Sequence, residues 1–278
     1  MHERRRILTG IRPTGPLHLG HYVGALENWV RLQDEYECFF LIADYQVADY
    51  ADRLEATRLA IREIALDWLA VGLDPSRSHF VVESAVPEHT ELAQWLSWYL
   101  PLARLRRNPT LKSELVDLEA GTVPVAFFTY PVLQAANILL PRAHLVPVGE
   151  DQLPHVEMTR ELARQFNRRY GALFPEPRAL VGRVPRLVGL DGKAKMSKSR
   201  ANAIYLKDDA ATVTQKVMRM FTDPTRLRPT DRGHVEGNPS STITLCSTPT
   251  RRRSTNSNNG ILLAGWATSK SSTCLPTR

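Results

Sequence analysis

The sequence predicts an α/β fold built on a doubly wound parallel, Rossmann-type sheet, and three observations carry that expectation. Short apolar runs recur at 7–11, 38–43, 80–82 and 145–148. Stretches of helical periodicity lie between the first three of them, and Gly/Pro turns punctuate the joins. Strand, helix, strand, helix, strand at these intervals calls for right-handed parallel crossovers. In such sheets a ligand crevice lies beyond the carboxyl ends of the strands, which directs attention to the turn after the first one.

Ile7, Leu8 and Ile11 form the first buried strand, and Pro13-Thr14-Gly15-Pro16 breaks it. His18-Leu19-Gly20-His21 then opens a helix running through Val23, Leu26, Trp29 and Val30. Residues 38–43 give a second strand, with Cys38 buried beside Phe39-Phe40-Leu41-Ile42. Residues 56–73 read as an amphipathic helix with Leu59, Ile64, Trp68 and Leu69 on its apolar face and Gly72 at its end. After the strand 80–82 the strand signal fades. From 88 to 140 only helices are predicted: one with Leu92, Trp95, Leu96, Tyr99 and Leu100, one over 111–119, one over 132–140. This is an all-helical insertion. The strand 145–148 follows, and Gly149-Glu150-Asp151 opens a helix with Val156, Leu162 and Phe166 on one side. Arg164, Arg168 and Arg169 fall near its end, where the helix dipole favours cations. Residues 184–190 lead into a polar loop, and 210–221 form one more helix with Val213, Val217 and Met220 as its apolar positions.

With 278 residues, 43% of them hydrophobic, the chain can bury a core as one large domain or two smaller ones. No apolar run approaches the ~20 residues of a membrane helix, and the run after MHERRR is too short for a secretory signal, so no membrane association and a cytoplasmic address are expected. Cys38, Cys246 and Cys274 include no C-x-x-C pair, which gives no reason to expect a zinc or iron–sulfur site or a disulfide framework. The net charge is +7, but Arg251, Arg252, Arg253, Lys270 and Arg278 supply +5 within 240–278, where no acid occurs. Global basicity is therefore no argument for nucleic acid; a local patch would be needed. In the same tail 16 of 39 residues are Ser or Thr and periodicity is lost, the composition of a disordered segment or of a coding sequence read out of frame.

Two motifs carry chemistry. HLGH follows the first strand at a helix start, where unpaired N–H groups and the dipole welcome an anion. His18 and His21, three residues apart, share one face of the first turn and can donate to a phosphate, with Gly20 between them leaving room for a ligand against the backbone. Two ordinary surface histidines are the alternative. The second motif, Lys195-Met196-Ser197-Lys198-Ser199, lies in a small polar loop that otherwise reads as a solvated basic segment.

An HxGH after a strand and a later KMSKS, in that order, resemble the two signatures of class I aminoacyl-tRNA synthetases. Thr129-Tyr130-Pro131, the VPVGEDQ of 146–152 and the ELARQFN of 161–167 resemble tryptophanyl-tRNA synthetases of the bacterial type. The resemblance runs from about Ile7 to Pro239 and implies a Rossmann-type catalytic domain over 1–205 with its helical insertion at about 88–140. The start of a helical anticodon-binding domain, left incomplete, then falls at 206–239, followed by a disordered tail at 240–278. It further implies ATP with Mg²⁺ held mainly by phosphates, L-tryptophan and tRNA(Trp) as partners, and a homodimer. In the dimer Trp95, Trp98 and Tyr99 are candidate contacts, core packing being their alternative.

Carried over by the resemblance, His18, His21, Lys195 and Lys198 are the catalytic candidates. ATP would be held by Arg12, Pro13, Thr14, Gly20, His21, Gly149, Glu150, Asp151 and the segment Lys195, Met196, Ser197, Lys198, Ser199. Tyr130 and Gln152 match positions that bind the α-ammonium, and Val146 and Val148 would wall the indole. Asn137 falls where tryptophanyl enzymes usually carry an aspartate that accepts the indole N–H. An aspartate restored there is expected to tighten tryptophan binding by about 1 kcal/mol. Gln134 with Asn137 also resembles the Q-x-x-D that reads a phenol in tyrosyl enzymes, so tyrosine is the second substrate considered, and a synthetase-like paralogue that does not charge tRNA is the third reading.

Overall fold

The computed structural model describes residues 4–47, 52–116, 123–182, 187–198 and 200–221, together with Pro239. The chain divides into two compact units: residues 1–16, 29–69 and 73–184 form one, and 17–28, 70–72 and 185–278 form the other.

The first unit is the predicted sheet. Five strands, β1 (Arg6–Ile11), β2 (Glu37–Ile42), β3 (His79–Val82), β4 (Leu145–Val148) and β5 (Arg178–Val181), lie in the order β3-β2-β1-β4-β5, every neighbouring pair parallel. Strand β1 runs in register with β2 from Arg6 opposite Glu37 to Ile11 opposite Ile42. Consecutive residues Ile7 and Leu8 are both buried, as a strand covered on two faces requires. Gly10 is dictated by crowding, since a Cβ there would stand 2.6 Å from the Leu41 carbonyl oxygen. One core cluster gathers Leu8, Leu41, Ala43, Ile138, Val146 and Val156. Elsewhere Trp29 stacks on Phe40 at 5.3 Å, and Trp68 meets both rings and Phe80 edge-on.

The helices mostly follow the periodicity. After α1 (Leu19–His21) one π-helical turn spans Tyr22–Leu26 before α2 (Glu27–Glu35), so the single predicted helix is real but widened at its start. Helix α3 (Leu54–Ala70) ends ahead of Gly72, which adopts φ 100°. Its buried face is the predicted one at Ile64 and Trp68 but not at the two leucines. Thr57, Ala60, Ile64, Asp67 and Trp68 turn inward, whereas Leu59 and Leu69 are 67% and 48% exposed. The insertion comprises α4 (Glu88–Ser97), α5 (Leu102–Arg106), α6 (Pro109–Val116) and α7 (Val125–Leu139), followed by α8 (Leu153–Tyr170) after β4. Helix α7 begins seven residues ahead of the expected position and accommodates Pro131 in its interior. Strand β5 is an addition to the prediction. The predicted residues 117–119 and 184–186 lie outside the described residues, as does the tail 240–278.

In the second unit a separate core forms from Leu19, Leu187, Met196, Ala203, Ile204, Val217 and Met220. Helix α9 (Ala210–Met218) contributes to it and is capped by Asp209, whose side chain accepts from the Thr212 N–H at 2.7 Å.

Candidate active site

The second unit holds both motifs. Backbone bonds from Leu19 N–H to Ile204 O and from Leu206 N–H to Leu17 O, each 2.9 Å, tie the HLGH segment to the chain just past KMSKS. The two imidazoles are interlocked: the Gly20 N–H donates to His18 Nδ1 at 3.1 Å and the His18 N–H donates to His21 Nδ1 at 3.2 Å. Two of the unpaired amides at the helix start are satisfied in this way. A nitrogen that accepts carries no proton, so each neutral ring keeps its hydrogen on Nε2. The rings lie 3.9 Å apart between centroids. Gly20 also answers a need within the protein itself. A Cβ there would come within 2.9 Å of the His18 ring, so the missing side chain makes room for the imidazole itself.

Burial, then repulsion from Lys198 and Lys195, lowers the pKa of His18 to about 4. Burial, then His18 and the same two lysines, lowers that of His21 to about 3. Both rings are thus neutral donors at physiological pH. The KMSKS loop is held by contacts that the motif does not reveal. Val188 and Lys195 form an antiparallel bridge, and the buried Asn202 accepts from the Ser197 N–H at 2.9 Å while donating to Asp191 at 3.1 Å. Gly189 gives this amide its place, since a Cβ would lie 2.0 Å from Asn202 Nδ2. Met196 is 1% exposed, and its side chain anchors the loop in the core. Ser199 lies outside the described residues.

The first unit holds the other predicted residues. Tyr130 O–H donates to Glu114 at 2.6 Å and lies 3.0 Å from His155 Nε2. Asn108 Oδ1 accepts backbone amides of Thr110 and Leu111, which turns its NH₂ toward His155 Nδ1 at 3.1 Å. The proton order along this chain is therefore Asn108 to His155 to Tyr130 to Glu114. Burial first, then Glu114, pushes the Tyr130 pKa far upward, and burial lowers that of His155 to about 4. Gln134 donates to Gln152 at 3.2 Å, and Gln152 donates to Asp151 at 2.9 Å. Gly149 precedes the 3₁₀ turn Glu150–Gln152, and a Cβ there would meet Asp151 Oδ1 at 2.5 Å. Arg12 reaches the Gln46 carbonyl at 3.3 Å, and the Thr14 N–H closes a turn onto Arg12 O. Val146 lies in the sheet core, and Val148 is partly buried against the same cluster.

Asn137, 1% exposed, donates through Nδ2 to Glu83 Oε1 at 2.7 Å. Glu83 is fully buried and escaped the sequence reading, as did Asn108, His155 and Asn202. Its presence reverses one expectation. Asn137→Asp alone would set two carboxylates against each other in a buried place, so one must stay protonated and the tighter tryptophan binding is not obtained.

The buried histidines set an acid limit on stability. His18, His21 and His155 titrate near 6.5 when unfolded but at about 4, 3 and 4 when folded. Below pH 6.5 the unfolded chain takes up protons that the folded chain refuses, so their contribution is complete above 6.5 and is lost as pH falls toward the folded values. Urea midpoints should drop between pH 7.5 and pH 5, and the drop should be smaller in His155→Gln; an equal drop would contradict the assignment.

The family model describing class I tRNA synthetases (W and Y) matches residues 1–257, past the point where the motif resemblance ends. The tryptophan–tRNA ligase of Treponema pallidum is 52% identical over 237 residues, covering 84% of this chain and 70% of that protein. That of Chlamydia caviae is 48% identical over 246 residues, with 86% and 71% covered. Among solved structures, tryptophanyl-tRNA synthetase from Campylobacter jejuni, complexed with ADP and tryptophan, superposes with a TM-score of 0.80 at 32% identity over 97% of this chain and 86% of that one. Tyrosyl-tRNA synthetase from Archaeoglobus fulgidus, complexed with L-tyrosine, gives 0.65 at 26% identity over 86% and 69%.

Proposed function

The chain belongs to the class I tRNA synthetases of the tryptophan and tyrosine group, and we propose from that membership that it activates L-tryptophan with ATP and transfers it to tRNA(Trp). In the first step a tryptophan carboxylate oxygen attacks the α-phosphorus. An oxygen–phosphorus bond to the carboxylate forms, the bond to the bridging oxygen breaks, and pyrophosphate leaves. In the second step a terminal ribose hydroxyl of the tRNA attacks the acyl carbon and AMP leaves. No side-chain nucleophile is needed; positioning and charge stabilisation suffice.

The observation that supports these roles is the pair of interlocked, neutral imidazoles whose titration is governed in part by Lys195 and Lys198. His18 and His21 offer Nε2–H to phosphate oxygens without adding charge, while the two lysines meet the charge of the leaving pyrophosphate. Arg12–Thr14, Gly149–Asp151 and the KMSKS segment are the proposed nucleotide contacts, with the Met196 side chain as the anchor of that segment. Tyr130 and Gln152 are proposed to take the α-ammonium, with Gln134 behind Gln152 and Asn137 at the indole N–H. Magnesium would accompany ATP, held by phosphate oxygens and water. Among the described residues no group of three or more His, Cys, Asp or Glu is placed to hold a metal alone.

A homodimer belongs to this reading, and Trp95 and Trp98, 44% and 62% exposed and 4.6 Å apart, are the proposed contacts. Tyr99 packs instead against Phe166 and Tyr170. Residues 206–239 are proposed as the start of the helical domain that reads the anticodon. Among the described residues no helix is long and apolar enough to cross a membrane, and a cytoplasmic site of action is part of the proposal.

ATP–pyrophosphate exchange run with each of the twenty amino acids tests the reading. Exchange should depend on tryptophan. Dependence on tyrosine would favour the second reading, and no exchange with any amino acid would overturn both.

A further inference from the structure

The Asn137 side chain presents a problem that its sequence position does not. Its amide has two ends, one donating and one accepting, and in a buried place a reader of an N–H group must offer the oxygen. Nothing in an asparagine alone fixes which end that will be.

Glu83 fixes it. Its carboxylate collects three donors: the Tyr45 N–H at 3.0 Å on Oε2, and Asn137 Nδ2 at 2.7 Å and Gln46 Nε2 at 3.5 Å on Oε1. Burial pushes the Glu83 pKa up, and the bonds from Asn137, Tyr45 and Gln46 oppose that rise, against a further push from Asp44. Both carboxylate oxygens accept, Oε2 from Tyr45 and Oε1 from Gln46 and Asn137, so it is the NH₂ end of Asn137 that faces Glu83. The other end, Oδ1, is buried and receives no hydrogen bond from any described residue. His89 is the alternative donor, near enough for Asn137 to influence its titration. Burial lowers the His89 pKa and a hydrogen-bonding influence of Asn137 raises it, but the contact falls short of a formed bond at Nδ1, which like Asn137 Oδ1 has no partner among the described residues. A buried carbonyl oxygen with no donor is costly unless a ligand supplies one.

We infer that Glu83 is a positioning residue for tryptophan recognition: by accepting from Nδ2 it locks the Asn137 amide so that Oδ1 is the atom presented to the indole N–H. This rests on the proposal that Asn137 reads the indole. The carboxylate here belongs to Glu83 and stands behind the amide that it orients, where the resemblance implies a carboxylate at the reading position itself.

The consequence is specific. In Glu83→Gln the side-chain oxygen keeps the bond from the Tyr45 N–H, which leaves the new NH₂ facing Asn137. Asn137 then turns its oxygen toward that NH₂ and its own NH₂ toward the ligand, donor against donor. In the double variant Glu83→Gln/Asn137→Asp the new amide donates to the aspartate, which keeps an oxygen for the indole whichever way it turns.

Tryptophan-dependent pyrophosphate exchange, read as KM and kcat separately, tests this with the full chain. Asn137→Ala should raise the tryptophan KM about tenfold, the worth of one hydrogen bond; no change would remove Asn137 as the reader and the inference with it. Given that rise, Glu83→Gln should also raise KM about tenfold with kcat within about twofold, and the double variant should return KM to the wild-type level or below. If Glu83→Gln leaves KM unchanged, or the double variant is no better than Asn137→Ala, Glu83 does not position the reader and the assignment of Asn137 stands alone. Should Glu83→Gln fail to fold, the double variant decides by itself: wild-type KM supports the inference, and a KM raised about tenfold overturns it.

Discussion

His21→Ala should lower the tryptophan-dependent pyrophosphate exchange rate by roughly 100- to 1,000-fold, the effect of removing one prepositioned donor to developing charge. Tryptophan KM should hardly move, because the ring is assigned to the phosphates and not to the indole. The geometry adds a reason to expect the upper end of that range. His21 Nδ1 accepts from the His18 N–H, so its loss removes a donor and also frees an amide whose backbone carries the second imidazole. Pre-steady-state adenylate formation, compared with tryptophan binding by fluorescence, checks the split. Equal losses in rate and binding would sink the phosphate assignment.

Lys198→Ala should cost roughly 100-fold in the same rate, and more than Lys195→Ala. Of the two lysines, Lys198 has the stronger influence on both imidazoles. A cation that repels protons from these rings is also near enough to meet the charge of a phosphate that binds them. The variant therefore carries a second signature. Removing the repulsion should raise the pKa of His18 and of His21 from about 4 and about 3, a shift that NMR titration of the free enzyme would detect. A lost rate with unmoved histidine titrations would place Lys198 away from the imidazoles.

What could be read from the sequence was local. HLGH and KMSKS were legible because each is a few consecutive residues whose spacing already implies a helix turn or a loop. The strands β1 to β4 were legible because apolar runs between Gly/Pro turns leave few alternatives. The failures are of another kind. In α3 the predicted Ile64 and Trp68 are buried, but Thr57, Ala60 and Asp67 complete the packed face in place of the leucines at 59 and 69, and periodicity alone cannot tell where the edge of the stripe falls. Strand β5 is four residues long, with both ends exposed and no apolar contrast. Glu83 and Asn137 are 54 positions apart, and Asn108 and His155 are 47 apart. A glutamate after two valines looks like the end of a strand until the fold delivers an asparagine to it. Asn202 stands close in sequence to the loop it braces, yet nothing in the residues after KMSKS distinguishes it from an ordinary loop asparagine.

The reciprocal seating of the two imidazoles also makes hydrogen exchange a report on the chemistry. The amides of His18 and Gly20 stand at a helix start, where N–H groups normally exchange rapidly with solvent. Here each is held by a ring nitrogen that can accept only while the ring is neutral. Protection at these two positions, measured against the intrinsic exchange rate at each pH, should therefore stay high through the neutral range and fall as the rings take up protons at about pH 4 and about pH 3. Two backbone protons thus carry the protonation state of the site in a form that can be followed without substrate.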